Sequence, residues 1–142
     1  MYYSLSQRTT SLTVNTAAWE VRVAAASLAR IVELGFVQTA ATASNVGVGR
    51  PTAIGVTPTS PQTFVNEGDA NAPAALTTAA VAWGTAPTSP AVFLRRADTT
   101  GTIGLGTIWT WPRGLVVPAA NSVVLFNIAT GSLLDAWAVV DE

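Results

Sequence analysis

The chain has 142 residues and a formal net charge of −1, a size at which one hydrophobic core is the default. Only 11% of its residues are charged, against about 25% in ordinary soluble domains, so no charge surplus steers it toward nucleic acid or an anionic membrane. It has no His, Cys or Lys, which removes the commonest general base, the thiol nucleophile, the Schiff-base amine, the soft metal ligands and any disulfide scaffold, and no cofactor is expected.

Residues 1–15 begin MYYSLSQRTT and lack the basic and apolar regions of a secretion signal. Tyr2, Tyr3 and Leu5 make this segment either an arm exchanged with a neighbouring subunit or a first strand, ahead of a domain spanning 16–142. Ala, Thr and Val are the commonest residues, and 11 Gly and 8 Pro cut the chain into runs of about 6 to 10 residues. The fold class expected is all-β, an antiparallel β-sandwich or jelly-roll-like barrel in a single domain.

Segment 16–35 (TAAWEVRVAAASLARIVELG) carries a helix cap in Thr16, a helix stop in Gly35 and an Ala-rich middle. Against the helix, Trp19, Val21 and Val23 alternate with Glu20 and Arg22, and Val32, Leu34 and Phe36 alternate again. That period suits two strands joined through 24–29 as a hairpin. Weaker strands follow at 44–49, 76–83 and 91–97, and clear ones at 106–111 (GTIWTW), 122–129 (SVVLFNIA) and 133–140 (LLDAWAVV). In SVVLFNIA the apolar residues fall on both faces. The turn 129–132 (ATGS) predicts a hairpin between the last two strands. The windows 70–94 and 114–134 are free of charge but interrupted by proline and asparagine, so neither reads as a membrane span.

The tetrapeptide PTSP occurs at 58–61 and at 87–90, each copy leading into a phenylalanine, Phe64 or Phe93. Its prolines fix φ and push the preceding residues toward extended backbone, which predicts stiff connectors. They are either ordinary loops or a contact surface that loses little entropy on binding.

No spacing among the eight carboxylates singles out an acid pair for hydrolysis. Glu67-Gly68-Asp69 has too few oxygen ligands for a calcium loop, and GVGRP and GLGT lack the lysine and spacing of a phosphate loop. No enzyme is expected. Trp109 and Trp111 share one strand face, which makes a stacking platform if it points outward and core if it points inward. Pro112-Arg113-Gly114 ends that strand. Arg95 and Arg96 place one guanidinium on each strand face, so at least one needs a partner or an interface. Val124, Phe126, Leu34 and Trp137 are expected in the core.

The strings GRPTAIGVTPTSP, VAWGTAPTSPAVFLRR, IGLGTIWTWPRGLVVPAANSVVLFN and LLDAWAVVDE resemble a group of small virion-associated proteins of tailed bacteriophages that decorate or cement the capsid. The similarity runs from about Trp19 to Glu142 and rests on packing and turn motifs without catalytic content. In related-looking sequences a Gly-containing turn holds the position of 24–28, which supports the hairpin, whereas this chain has AAASLA. The resemblance implies a β-sandwich or jelly-roll subunit that forms a homotrimer on the capsid exterior and contacts the major capsid protein, which would account for the weakly charged surface. Trp83, Arg95, Arg96, Trp109, Trp111 and Arg113 are the residues expected at or near subunit or capsid contacts. The competing reading is a receptor-binding module of a head or tail fibre that stacks host glycans on exposed tryptophans.

Overall fold

The computed structural model describes residues 1–129 and 131–142, and no helix occurs among them. In chain order the strands are β1 (Tyr2–Arg8), β2 (Thr16–Val23), β3 (Ala29–Gln38), β4 (Ser44–Gly49), five short strands, β5 (Val56–Pro58), β6 (Gln62–Thr63), β7 (Val65–Asn66), β8 (Thr77–Ala80) and β9 (Trp83–Thr85), and then β10 (Arg95–Thr99), β11 (Gly106–Val117), β12 (Ser122–Asn127) and β13 (Leu134–Asp141). All pairings are antiparallel.

A five-stranded sheet has the order β11-β3-β13-β1-β7, a six-stranded sheet the order β10-β4-β12-β2-β8-β6, and β5 pairs with β9 alone. Without the short strands the two orders reduce to β11-β3-β13-β1 and β10-β4-β12-β2. The chain changes sheet at every step except from β4 to β10. This is the jelly roll, two interlocked Greek keys. The first strand, β1, lies between β13 and β7 in the five-stranded sheet.

The topology corrects both hairpin expectations. β2 and β3 are strands, as their alternation requires, but they lie in different sheets and residues 24–28 arch between them. β12 and β13 are likewise in different sheets; Thr130, within the expected turn 129–132, lies outside the described residues. The physical reason is common to both pairs. Alternation reports which side chains face the core, and an arch across two sheets about 10 Å apart satisfies it as well as a hairpin does.

The main core lies between the sheets, where Trp19, Ile31, Leu34, Phe36, Leu125 and Leu134 are fully buried. A second cluster forms on the outer face of the six-stranded sheet, where residues 50–94 fold back over Ala17, Val124 and Phe126 and add Trp83 and Phe93. That double covering is why all six residues of β12 are buried. In β13 the alternation sends Leu134, Ala136, Ala138 and Val140 inward. Trp137 therefore points out of the sandwich, half-buried over Gly35, with its indole N–H donating to Glu33 Oε1 at 2.8 Å. It is not a core residue.

The two PTSP copies take different conformations. In the first, Thr57 and Ser60, each before a proline, have φ of 50° and 45° rather than the extended backbone expected. Such values cost a β-branched residue free energy; the turn is held where the Thr59 N–H donates to Ala82 O at 2.8 Å and β5 pairs with β9. The second copy runs along residues 52–53, bonded Thr52 N to Thr88 O at 3.1 Å and Thr88 N to Ala53 O at 2.9 Å. Each still delivers its phenylalanine to a core. Phe64 enters the main one, and Phe93 stacks edge-on against Phe126 at 5.7 Å in the second.

Candidate interaction flank

β10 and β11 are the last strands of their sheets at one side of the sandwich, and they face each other across it. Unpaired backbone along such edges is a ready template for another chain. At the opposite side the edges are β7 and β6, two residues each, both supplied by residues 50–94. One flank is capped by short strands of the chain's own insertion. The other is open.

β11 does not end at Pro112-Arg113-Gly114 as its sequence suggests. Thr110 pairs with Glu33 and Leu115 with Ile31, so Trp111, Pro112, Arg113 and Gly114 are extruded opposite Val32 and the strand resumes to Val117. An edge strand tolerates a proline because its N–H is not needed there. Gly114, at φ 69°, supplies the left-handed turn that brings the chain back into register. The bulge holds Arg113 outward, and its carbonyl accepts a hydrogen bond from Arg30 Nη1 at 3.3 Å.

Of the expected contact residues, Arg95, Arg96, Trp111 and Arg113 share this flank. Arg96 stands over the Phe93 ring, 5.8 Å from its centroid, in cation–π range. Arg95 donates to Leu94 O at 2.9 Å, and both guanidiniums are exposed. Trp109 is on the flank's strand but turned inward, 9% exposed, with its ring 5.6 Å from that of Phe36. Trp111 is partly buried against the same core. The inward alternative holds for this pair, and the outward platform that glycan stacking would need is not formed by them.

Trp83 lies elsewhere, on the outer face of the six-stranded sheet. Its indole N–H donates to Glu20 Oε2 at 2.7 Å. Glu20, 1% exposed, also accepts from Arg22 Nη2 at 2.9 Å and from Gly55 N at 3.2 Å, and Arg22 bonds the Gly55 carbonyl as well. This network ties residues 50–94 to β2. Charge burial is tolerated here because carboxylate and guanidinium pair and are hydrogen-bonded.

Sequence reasoning missed three contributors to the flank. Gln38, 1% exposed, donates through Nε2 to Thr100 O at 2.6 Å and to Thr102 O, and accepts from Thr99 Oγ1 at 2.6 Å. It fixes the loop 100–105, whose Ile103 is 66% exposed; Ile108 on β11, the strand this loop leads into, is 58% exposed. The isolated isoleucines of the Gly-rich run GTIGLGTI were the available signal. Arg30 and Arg50 also join, the latter through a 2.7 Å bond to Val116 O. Of the seven arginines, Arg8 and Arg22 pair with carboxylates; Arg30, Arg50, Arg95, Arg96 and Arg113 have none within 4.0 Å among the described residues. All five border this flank. The arrangement offers fork-shaped donors for carboxylates beside apolar surface, and among the described residues no three His, Cys, Asp or Glu side chains converge as metal ligands.

Comparison with protein families, with curated proteins and with solved structures found no match.

Proposed function

We propose that this chain is a structural virion subunit, a homotrimeric decoration or cement protein that binds the outside of a phage capsid and clamps neighbouring major capsid proteins. The observation that carries the reading is the open flank. A 12-residue edge strand, exposed isoleucines and arginines without carboxylate partners form a surface that calls for a protein partner. Jelly rolls serve in viral capsid and lectin domains, a fold-level analogy that agrees with this reading. A symmetric lattice multiplies modest contacts into avidity, so no single strong site is required of a cement.

Light scattering on the purified chain is expected to give three times the 14.6 kDa of one chain. Sedimentation with phage shells, expanded and unexpanded, is expected to carry the chain down with the expanded form and to raise the temperature at which the shells break. Shells that neither bind it nor gain heat resistance would refute the role.

A further inference from the structure

The open flank is basic on balance, its five arginines outnumbering the exposed carboxylate of Asp98 on β10, and an acidic surface lies at the opposite edge of the five-stranded sheet. Glu67 and Asp69 are exposed, have no cation within 4.0 Å among the described residues, and line an open depression of about 530 Å³ with Met1, Tyr2, Asn66 and Gly68. The depression sits at the β1–β7 edge, where Glu67 N bonds Tyr2 O at 3.1 Å. The bulge 111–114 projects from the other edge, across four strand spacings or roughly 19 Å.

Bulge and depression are also at the same height. From β11 the pairs Thr110↔Glu33 and Leu115↔Ile31 bracket the bulge. They continue as Glu33↔Val139 and Ile31↔Val140 into β13, as Val139↔Ser4 and Val140↔Tyr3 into β1, and as Ser4↔Val65 and Tyr3↔Asn66 into β7. The knob and the hollow therefore terminate the same cross-strand rows. A two-fold contact through the bulge or the depression itself would set Arg113 against Arg113, or Glu67 and Asp69 against their own copies, which electrostatics disfavours. A contact joining unlike patches is head-to-tail, and such contacts generate rings when the rotation between subunits closes and open filaments when it does not.

We propose that copies of this chain associate head to tail, the Arg113 bulge of one subunit seating in the Glu67–Asp69 depression of the next, with Arg95 alongside. This rests on the oligomeric subunit proposed above and names the surfaces that build it. The test is charge reversal, read by light scattering at micromolar protein and by thermal melting. R95E/R113E and E67R/D69R are each expected to weaken association at least tenfold while melting as folded chains, because all four side chains are exposed. The fourfold variant, with both patches reversed, is expected to regain the wild-type mass. Should that variant fail to fold, mixing the two pair variants is expected to restore association, into species of even subunit number. A monomeric wild type, pair variants that assemble like wild type, or neither rescue restoring association would overturn the proposal. Shell binding separates the two claims: a monomer that still binds shells refutes the ring alone, and a ring that ignores shells refutes the cement role alone.

Discussion

On the outer face of the six-stranded sheet Val124 and Phe126 are wholly buried under residues 50–94, whereas on the outer face of the five-stranded sheet Trp137 is half-buried and Ile108 is open to solvent. The framework strands of the five-stranded sheet run from 7 to 12 residues and those of the six-stranded sheet from 5 to 8, so the better-buried outer face belongs to the shorter strands and strand length does not explain it. What differs is the covering layer. Residues 50–94 leave the jelly roll after β4, cross the outer face of one sheet and add edge strands to both. The covered face gains a second apolar cluster and can hold a buried ion pair; the bare face keeps the aromatic surface that its own alternation placed there.

The largest expected difference between the faces comes from truncating an aromatic on each. Phe126→Ala removes a fully buried ring that contacts Phe93 and is expected to cost about 3–5 kcal/mol, the range for buried Phe to Ala. Trp137→Ala removes a larger side chain, but one already half in water, and is expected to cost only about 1–2 kcal/mol by the same scale discounted for exposure. Chemical denaturation of both variants checks this. Equal losses would mean that the bare face is covered in solution.

Next is the ion pair under the covering layer. Glu20→Gln keeps the shape but leaves Arg22, whose side chain is 22% exposed, without its counter-charge, and is expected to cost about 3 kcal/mol, the lower end for breaking a buried pair. Limited proteolysis within residues 50–94 is expected to accelerate alongside, since Glu20 is what Trp83 and Gly55 hold. A loss of stability without faster cleavage there would show that the network stabilises β2 rather than anchoring the insertion.

A matched pair of glycines then compares the faces at nearly equal steric insult. A Cβ at Gly55 would lie 2.4 Å from Trp83 Cδ1 and 2.8 Å from Glu20 Oε2, and one at Gly35 would lie 2.3 Å from Trp137 Cζ2. Glu20 is 1% exposed and held by Trp83 and Arg22 as well as by Gly55, so it cannot give way, and Gly55→Ala is expected to cost about 1–3 kcal/mol, as overpacking does. Trp137 can swing into solvent, and Gly35→Ala is expected to cost less than about 1 kcal/mol. The ratio of the two, from thermal melts, measures how far the covering layer rigidifies what lies beneath it.

Much of this contrast was legible in the chain. SVVLFN is apolar on both faces and became the strand covered on both; LDAWAVVD alternates and became a strand covered on one. Trp137 was expected in the core, although the alternation of Leu134, Ala136, Ala138 and Val140 already assigned it to the other face. Strand partners were not legible: a period of two fixes the face a side chain takes and says nothing about its hydrogen-bonded neighbour. The same limit explains the flank. Arg95 and Arg96 could be set on opposite faces by counting, but Arg30 and Arg50 reach the flank only through pairing and bonds with β11, 66 to 83 residues away in the chain. Trp83 shared the aromatic character of the flank residues, and only the contact with Glu20, 63 residues distant, removed it from their company.

The smallest expected effect belongs to the side-chain ion pair between Arg8 and Asp135 on the bare face. Arg8 Nε and Nη2 donate to Asp135 Oδ1 and Oδ2 at 2.7 and 2.9 Å, between β1 and β13. The hydrogen bonds from Arg8, with its positive charge, hold the Asp135 carboxyl below its ordinary range against a modest opposing effect of burial, and the carboxylate raises the Arg8 guanidinium in turn. The sign follows from linkage. A carboxyl depressed in the folded state contributes stability that is fully present above the unfolded value of about 3.9 and is lost as pH falls through the lower folded value. Asp135→Asn is therefore expected to leave stability near pH 7 slightly reduced and to flatten its fall in that acid window. Because both side chains are largely in water, with 62% and 36% of their surface exposed, the effect is expected to shrink further in high salt. Glu20 under the covering layer is shielded from that screening, so salt that erases the Asp135→Asn difference is expected to leave most of the Glu20→Gln difference standing; melting both variants with and without salt compares the two faces in one experiment.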